Sequence, residues 1–176
     1  MPSQRQALWQ LIRNQRSAVL VNIGGDGLLD GRPMGCVQRE FDGTLWFITF
    51  RDSPKTIDLQ EDRRVLVSYS RGKFEYVLVS GQARVVEDNP SLHSLWSEGL
   101  RVWFPQGPDS PDLVLIAIDV ERAKAWTQGA SLVRYAWLYV RARLTGRRPR
   151  ADEVVTLTTF TFELPRPAGI YRSQGG

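Results

Sequence analysis

The chain has 176 residues, an apolar fraction of 42% and a formal net charge of +4, with a single cysteine and a single histidine. That length suits one domain, able to bury about 70% of its unfolded-chain surface. No apolar run approaches the ~18 residues of a membrane span, the N-terminus lacks a secretory signal pattern, and neither an internal disulfide nor a Cys/His zinc site can be assembled. A cytoplasmic protein with no membrane association is expected. Residues 1–140 carry 16 basic and 16 acidic side chains, whereas 141–176 carry seven arginines against three acids. The strip RARLTGRRPR (141–150) can bind a phosphate backbone, but such strips are more often solvated helix ends. Nucleic acid is therefore not expected as a partner.

Ser3 and Gln6 form a capping box ahead of ALWQLIR, which predicts a short amphipathic helix at the start. SAVLVNI (17–23) reads as a buried strand and GGDG (24–27) as a tight turn using glycine for positive φ. A second strand follows across LLDGRPMGCVQ, and FDGT (41–44) signals a hairpin into LWFITF. A Ser-Pro helix occupies about 53–61, and RVLVSYS and FEYVLVSGQARVV are two further strands joined at RGK. Asp88 and Pro90 open a helix through SLHSLWSEGLRVWF that stops at Pro105. DLVLIAID is another strand, and 130–144 an apolar-faced helix. The last stretch alternates in VVTLTTFTF among prolines and glycines, which fits an edge strand, a partner-clasping arm or a disordered tail. The expected division is a domain over 1–144 and an arm or tail over 145–176.

Short strands joined mostly by hairpins, with brief helices between them, predict a mainly β fold: an antiparallel sheet closing into a barrel, with peripheral helices. Regular βαβ alternation and glycine-rich nucleotide motifs are absent, which argues against a doubly wound fold.

Two stretches carry chemistry. In FRDSPKT, Ser53 suits an N-cap and Pro54 the first helical position. Lys55 would then oppose the helix dipole by about 0.3–1 kcal/mol. An anion held by backbone N–H groups, the Ser53 hydroxyl and the Lys55 ammonium reverses that deficit, and phosphate is the obvious candidate. Alternatively Asp52 neutralises the lysine and the motif is only a capped helix. In DGRPMG, Arg32 sits between a glycine and a proline; Pro33 cannot donate a ladder bond, so the strand lies at an edge. Arg32, Met34 and Cys36 share one face by period-two alternation, where a guanidinium offers a fork for phosphate. The plainer alternative is surface pairing of Arg32 with Asp30 or Glu40.

Together these stretches carry a family resemblance. RPM, WF-x-T-x-x-x-SPK, SG-x-A and WFP-x-G occur here in an order and spacing similar to the general stress protein branch of the pyridoxamine 5′-phosphate oxidase-like proteins, over about residues 8–128. The resemblance implies an antiparallel split β-barrel that forms a homodimer and holds FMN between its subunits. It implies that Ser53, Lys55 and Arg32 hold the phosphate, that Pro33 and Met34 run along the flavin, and that Thr49 lies near the isoalloxazine or ribityl chain. It also implies that Tyr76 and Trp103 reach the flavin from the partner subunit. Pyridoxamine phosphate oxidases proper carry a glutamine where Tyr76 aligns and a C-terminal tryptophan–arginine segment that this tail does not reproduce. Vitamin B6 oxidation is accordingly not expected.

His93, the lone histidine, reads as structural, and Cys36 as a small buried apolar residue. The role of Arg51 is left open. Two functions follow: an FMN-dependent oxidoreductase drawing on NAD(P)H, with a stress-response role, or a flavin-binding and sensing protein without turnover. No catalytic acid or base stands out, and no metal site is expected.

Overall fold

The computed structural model describes residues 3–71, 75–128, 143 and 157–164. Helix α1 (Gln4–Ile12) starts with the expected capping box: the Ser3 hydroxyl accepts the Gln6 N–H at 3.2 Å and the Gln6 side chain accepts the Ser3 N–H at 2.8 Å. Its Leu8 and Ile12, four residues apart, are buried against the sheet.

The strands are β1 (Ser17–Ile23), β2 (Leu29–Gly35), β3 (Thr44–Phe50), β4 (Arg64–Arg71), β5 (Glu75–Val86), β6 (Leu113–Gln128) and β7 (Leu157–Glu163). All pairings are antiparallel, in the order β2-β1-β4-β5-β6-β3, and β7 also pairs with β6. No ladder joins β2 to β3, so the sheet stays open between them. This corrects the hairpin expected at 41–44. The turn is there, with Gly43 at φ 120°, but β3 leaves β2 and runs beside β6. Pro33 gives the free edge of β2 no N–H to offer at its centre, while the apolar run Leu113–Ile118 gives β3 a partner buried on both faces.

Strand β6 is much longer than DLVLIAID suggested. Its first half pairs with β3 and its second half with β7. The change of partner coincides with a register shift at Ser80/Gly81, where Glu121 is the extra residue on β6. Gly81 is obligatory there: a Cβ would lie 2.2 Å from the Asp119 carbonyl oxygen. Within the final alternating segment, Leu157–Glu163 is thus a sheet strand. The helix expected over 130–144 and most of the arginine strip lie outside the described residues, Arg143 excepted.

Helix α2 (Pro54–Glu61) lies where expected. The helix expected from Asp88 to Pro105 is broken: α3 (Asn89–Leu95) ends at Trp96, whose backbone is extended, and a 3₁₀ turn spans Glu98–Val102. Trp96 is drawn into a satellite core with Leu92, Phe104 and the outer side of β3 and β6, and the chain turns to place it. The main core fills the inner face of the sheet. One row crosses it from strand to strand as Arg32–Leu20–Val67–Val79–Ala123–Phe162. Five of the six are buried apolar residues, and the arginine stands at the open edge.

Candidate functional site

The site is built where the end of β3 turns into α2, which packs against β1 and β5 and is tied to the β1–β2 hairpin through Asp58. Ser53 occupies the N-cap with an extended backbone (φ −69°, ψ 144°), followed by Pro54, and the first turn holds no acidic residue. The Ser53 hydroxyl does not cap the helix. It lies 2.6 Å from the Thr56 hydroxyl, which itself donates to the Phe50 carbonyl at 3.0 Å. With the Thr56 proton so engaged, Ser53 is the donor of the pair, and it must rotate away from Thr56 to donate to an anion.

Arg32 comes to this corner from the inner face of β2, its side chain 19% exposed and ion-paired with Asp30. The plainer reading of Arg32 is thus partly realised, and any anion must share it with that carboxylate. Lys55 is half-buried, and among the described residues no carboxylate pairs with it, Asp52 included. Burial, and then the positive field of Arg32, hold the Lys55 ammonium below its usual value. The register and the helix thus bring together two cations separated by 23 positions, and among the described residues the second has no carboxylate partner.

Two residues that the sequence reading did not single out fix this juxtaposition. Asn22 on β1 is 1% exposed, and its amide donates to the Ile23 carbonyl at 3.0 Å and to Asp58 of α2 at 3.2 Å. The other Asp58 oxygen accepts the Gly25 N–H at 3.1 Å. A signal was present: Ala18, Leu20 and Asn22 alternate inward, and an amide at an inward position needs a partner.

The remaining expected residues are dispersed. Met34 is buried opposite Ala18, whereas Pro33 points to the outer face opposite Val19. Thr49 is buried on the inner side of β3, opposite Val114. Tyr76 and Trp103 are 44% and 73% exposed, on β5 and after the 3₁₀ turn. Arg51, adjacent in sequence to the corner, turns away: it pairs with Glu87 and donates to the Pro111 carbonyl. His93 holds Asp109 at 2.9 Å on the far side of the satellite core. The Cys36 thiol is pushed up to about 11 by burial and stays protonated. Among the described residues no cluster of His, Cys, Asp or Glu could hold a metal ion, and no helix is long and apolar enough to cross a membrane.

Fold and corner together define a class: a small antiparallel split barrel with a cationic seat at its open rim. Residues 3–150 match the family described as pyridoxamine 5′-phosphate oxidase like, and the chain belongs to that family. Among solved structures, a Clostridium acetobutylicum protein related to general stress protein 26 of B. subtilis aligns with TM-score 0.65 at 15% identity, covering 90% of this chain and 92% of that one. At that identity the likeness shows the fold alone. General stress protein 26 of Bacillus anthracis is 26% identical over 69% of this chain and 92% of its own, with TM-score 0.61. The general stress FMN/FAD binding protein of Xanthomonas citri is 27% identical over 73% and 92%, with TM-score 0.63. No curated protein matches the sequence.

Proposed function

We propose that this chain binds FMN as a cytoplasmic homodimer, with the flavin held between subunits, and acts as an FMN-dependent oxidoreductase fed by NAD(P)H. The observation that carries the reading is the convergence of Arg32 on Lys55, an ammonium without a carboxylate partner among the described residues, at a helix start whose first turn holds no acid. Such a seat suits a dianionic phosphate. Membership of the family and the likeness to a flavin-binding protein of Xanthomonas citri support the same ligand.

In this reading Arg32 and Lys55 hold the phosphate, and Ser53 adds its hydroxyl once it leaves Thr56. Thr49 and the Pro33–Met34 segment line the path of the rest of the molecule. Bound FMN supplies the hydride and electron transfer; the protein supplies position and charge. The partner subunit is supported by the outer sheet face, where Val19 is 43% exposed beside a groove of about 460 Å³ lined by Arg16, Ser17, Pro33, Ser68 and Ser70. Tyr76 and Trp103, exposed on one protomer, would be covered by such a partner.

One observation favours a second reading, flavin binding or sensing without turnover. Among the described residues no imidazole or reactive thiol serves the corner: His93 is bound to Asp109 elsewhere, and the Cys36 thiol is held protonated. The absorption spectrum of the purified protein with and without FMN, followed by gel filtration, tests the flavin and the dimer. Co-elution of flavin with a dimer is expected, and a protein that ignores FMN overturns the reading. Oxidation of NAD(P)H by the loaded protein then separates enzyme from binder.

A further inference from the structure

The Asp58 carboxylate is engaged at both oxygens by the β1–β2 hairpin, through the Gly25 N–H at 3.1 Å and the Asn22 amide at 3.2 Å. Asp58 stands three residues beyond Lys55 on α2, so the two lie on neighbouring positions of one helix face. The return strand of the same hairpin carries Arg32, diagonal to Asn22 across the ladder, since Asn22 faces Asp30 and Leu20 faces Arg32. One carboxylate therefore ties the helix that presents Lys55 to the strand pair that presents Arg32.

That tie holds two cations in one corner. Burial first and the charge of Arg32 second disfavour the Lys55 ammonium, even with Asp30 paired to Arg32, so the spacing of α2 and β2 needs a fixed link. Asn22 also reveals the priority given to the tie. Its amide nitrogen is spent on Ile23 and Asp58, and its buried carbonyl oxygen is left without a donor among the described residues. Turning the amide over would bring its oxygen against the Asp58 carboxylate and the Ile23 carbonyl, so the orphaned oxygen follows from serving Asp58.

We propose that Asp58, presented through Asn22, is a positioning residue that sets the spacing of Arg32 and Lys55 and so makes the corner select a phosphate-bearing flavin over the same flavin without phosphate. It touches no ligand itself, and the inference rests on the FMN reading above.

The test uses the full chain and two probes, FMN and riboflavin, titrated by flavin fluorescence. The wild type should prefer FMN by about ten- to a hundredfold, the contribution of charge-assisted phosphate contacts. Asp58→Asn keeps the shape and the Gly25 contact but sets two amide donors against each other. It should lose most of that preference, with FMN weakened about tenfold and riboflavin changed by less than about twofold. The reciprocal exchange, Asp58→Asn with Asn22→Asp, restores an amide–carboxylate pair while setting one carboxylate oxygen against the Ile23 carbonyl, and should recover part of the FMN preference. A folded Asp58→Asn variant with intact preference overturns the proposal, as does an equal loss of both flavins, which would mark a purely structural role. If Asp58→Asn does not fold, a folded reciprocal variant that fails to prefer FMN overturns it as well. A wild type that binds riboflavin as well as FMN, or neither, overturns instead the phosphate-seat reading on which the proposal stands.

Discussion

Helices α2 and α3 begin with the same local grammar, a polar cap followed by a proline in the first turn, and differ in where the negative charge comes from. At α3 the cap is Asp88, whose carboxylate accepts the Ser91 hydroxyl and sits where the dipole favours an anion. At α2 the cap is a hydroxyl turned onto Thr56, the first turn has no acid, and Lys55 and Arg32 converge instead. Both cap residues are extended, so the backbone does not distinguish them. The α3 start carries its own anion, whereas in the function proposed above the α2 start takes one from outside.

The largest effects should come from removing the cations. Arg32→Ala and Lys55→Ala should each weaken FMN binding by about ten- to a hundredfold, since a charge-assisted phosphate contact contributes roughly 1.5–3 kcal/mol. Asp88→Ala, the matching change at α3, should leave FMN affinity unchanged and lower stability by about 0.5–1 kcal/mol in urea unfolding. Equal FMN affinity in all three variants would erase the distinction between the two starts.

Converting one start into the other is the sharper intervention. Ser53→Asp gives α2 the built-in carboxylate of α3. Thermal or urea unfolding of the flavin-free protein should show a gain of about 0.3–1 kcal/mol, while FMN affinity falls at least about tenfold because the seat now repels phosphate. A variant that became more stable and bound FMN as before would place the phosphate elsewhere.

A smaller effect should appear with pH. Burial, with Arg32 second, lowers the Lys55 ammonium below its ordinary 10.5, so between the lowered value and 10.5 the unfolded chain binds more protons than the folded one. In that alkaline window the flavin-free protein should gain stability from this group as pH rises. Bound phosphate favours the ammonium, so FMN affinity should fall as pH rises through the lowered value. Arg32→Ala removes the second cause and should move the fall to higher pH. A flat alkaline profile of FMN affinity would remove Lys55 from the seat.

What the sequence disclosed follows the range of the forces involved. The first helix, β1 and α2 were legible because capping chemistry and period-two alternation act over a few residues. Ser53, Lys55 and Arg32 were each suspect on local grounds, a lysine at the positive end of a dipole and an arginine between Gly31 and Pro33. Their meeting was not legible without the family resemblance, because it depends on the β1–β2 register and on a carboxylate 33 residues from the Gly25 it binds. The FDGT turn misled for the same reason. A turn signal marks a reversal, but the edge that β3 joins was decided by Leu113–Ile118, about 70 positions away. The break after Leu95 was hidden because Trp96 continues an apolar pattern that a helix could equally have used.

Arg51 supplies the smallest effect and tests whether nearness in sequence or in space decides membership of the corner. It lies two positions before Ser53, yet its guanidinium pairs with Glu87 and reaches the Pro111 carbonyl, while its backbone N–H donates to Asp112 at 2.7 Å. It fastens the end of β3 to the segment leading into β6, on the α3 side. Arg51→Ala should therefore keep FMN affinity within about twofold and lower stability by no more than about 1 kcal/mol, the range of a half-exposed ion pair. An affinity loss matching that of Lys55→Ala would mean that Arg51 exchanges Glu87 for the ligand, and the anion seat would then extend around the helix start toward α3.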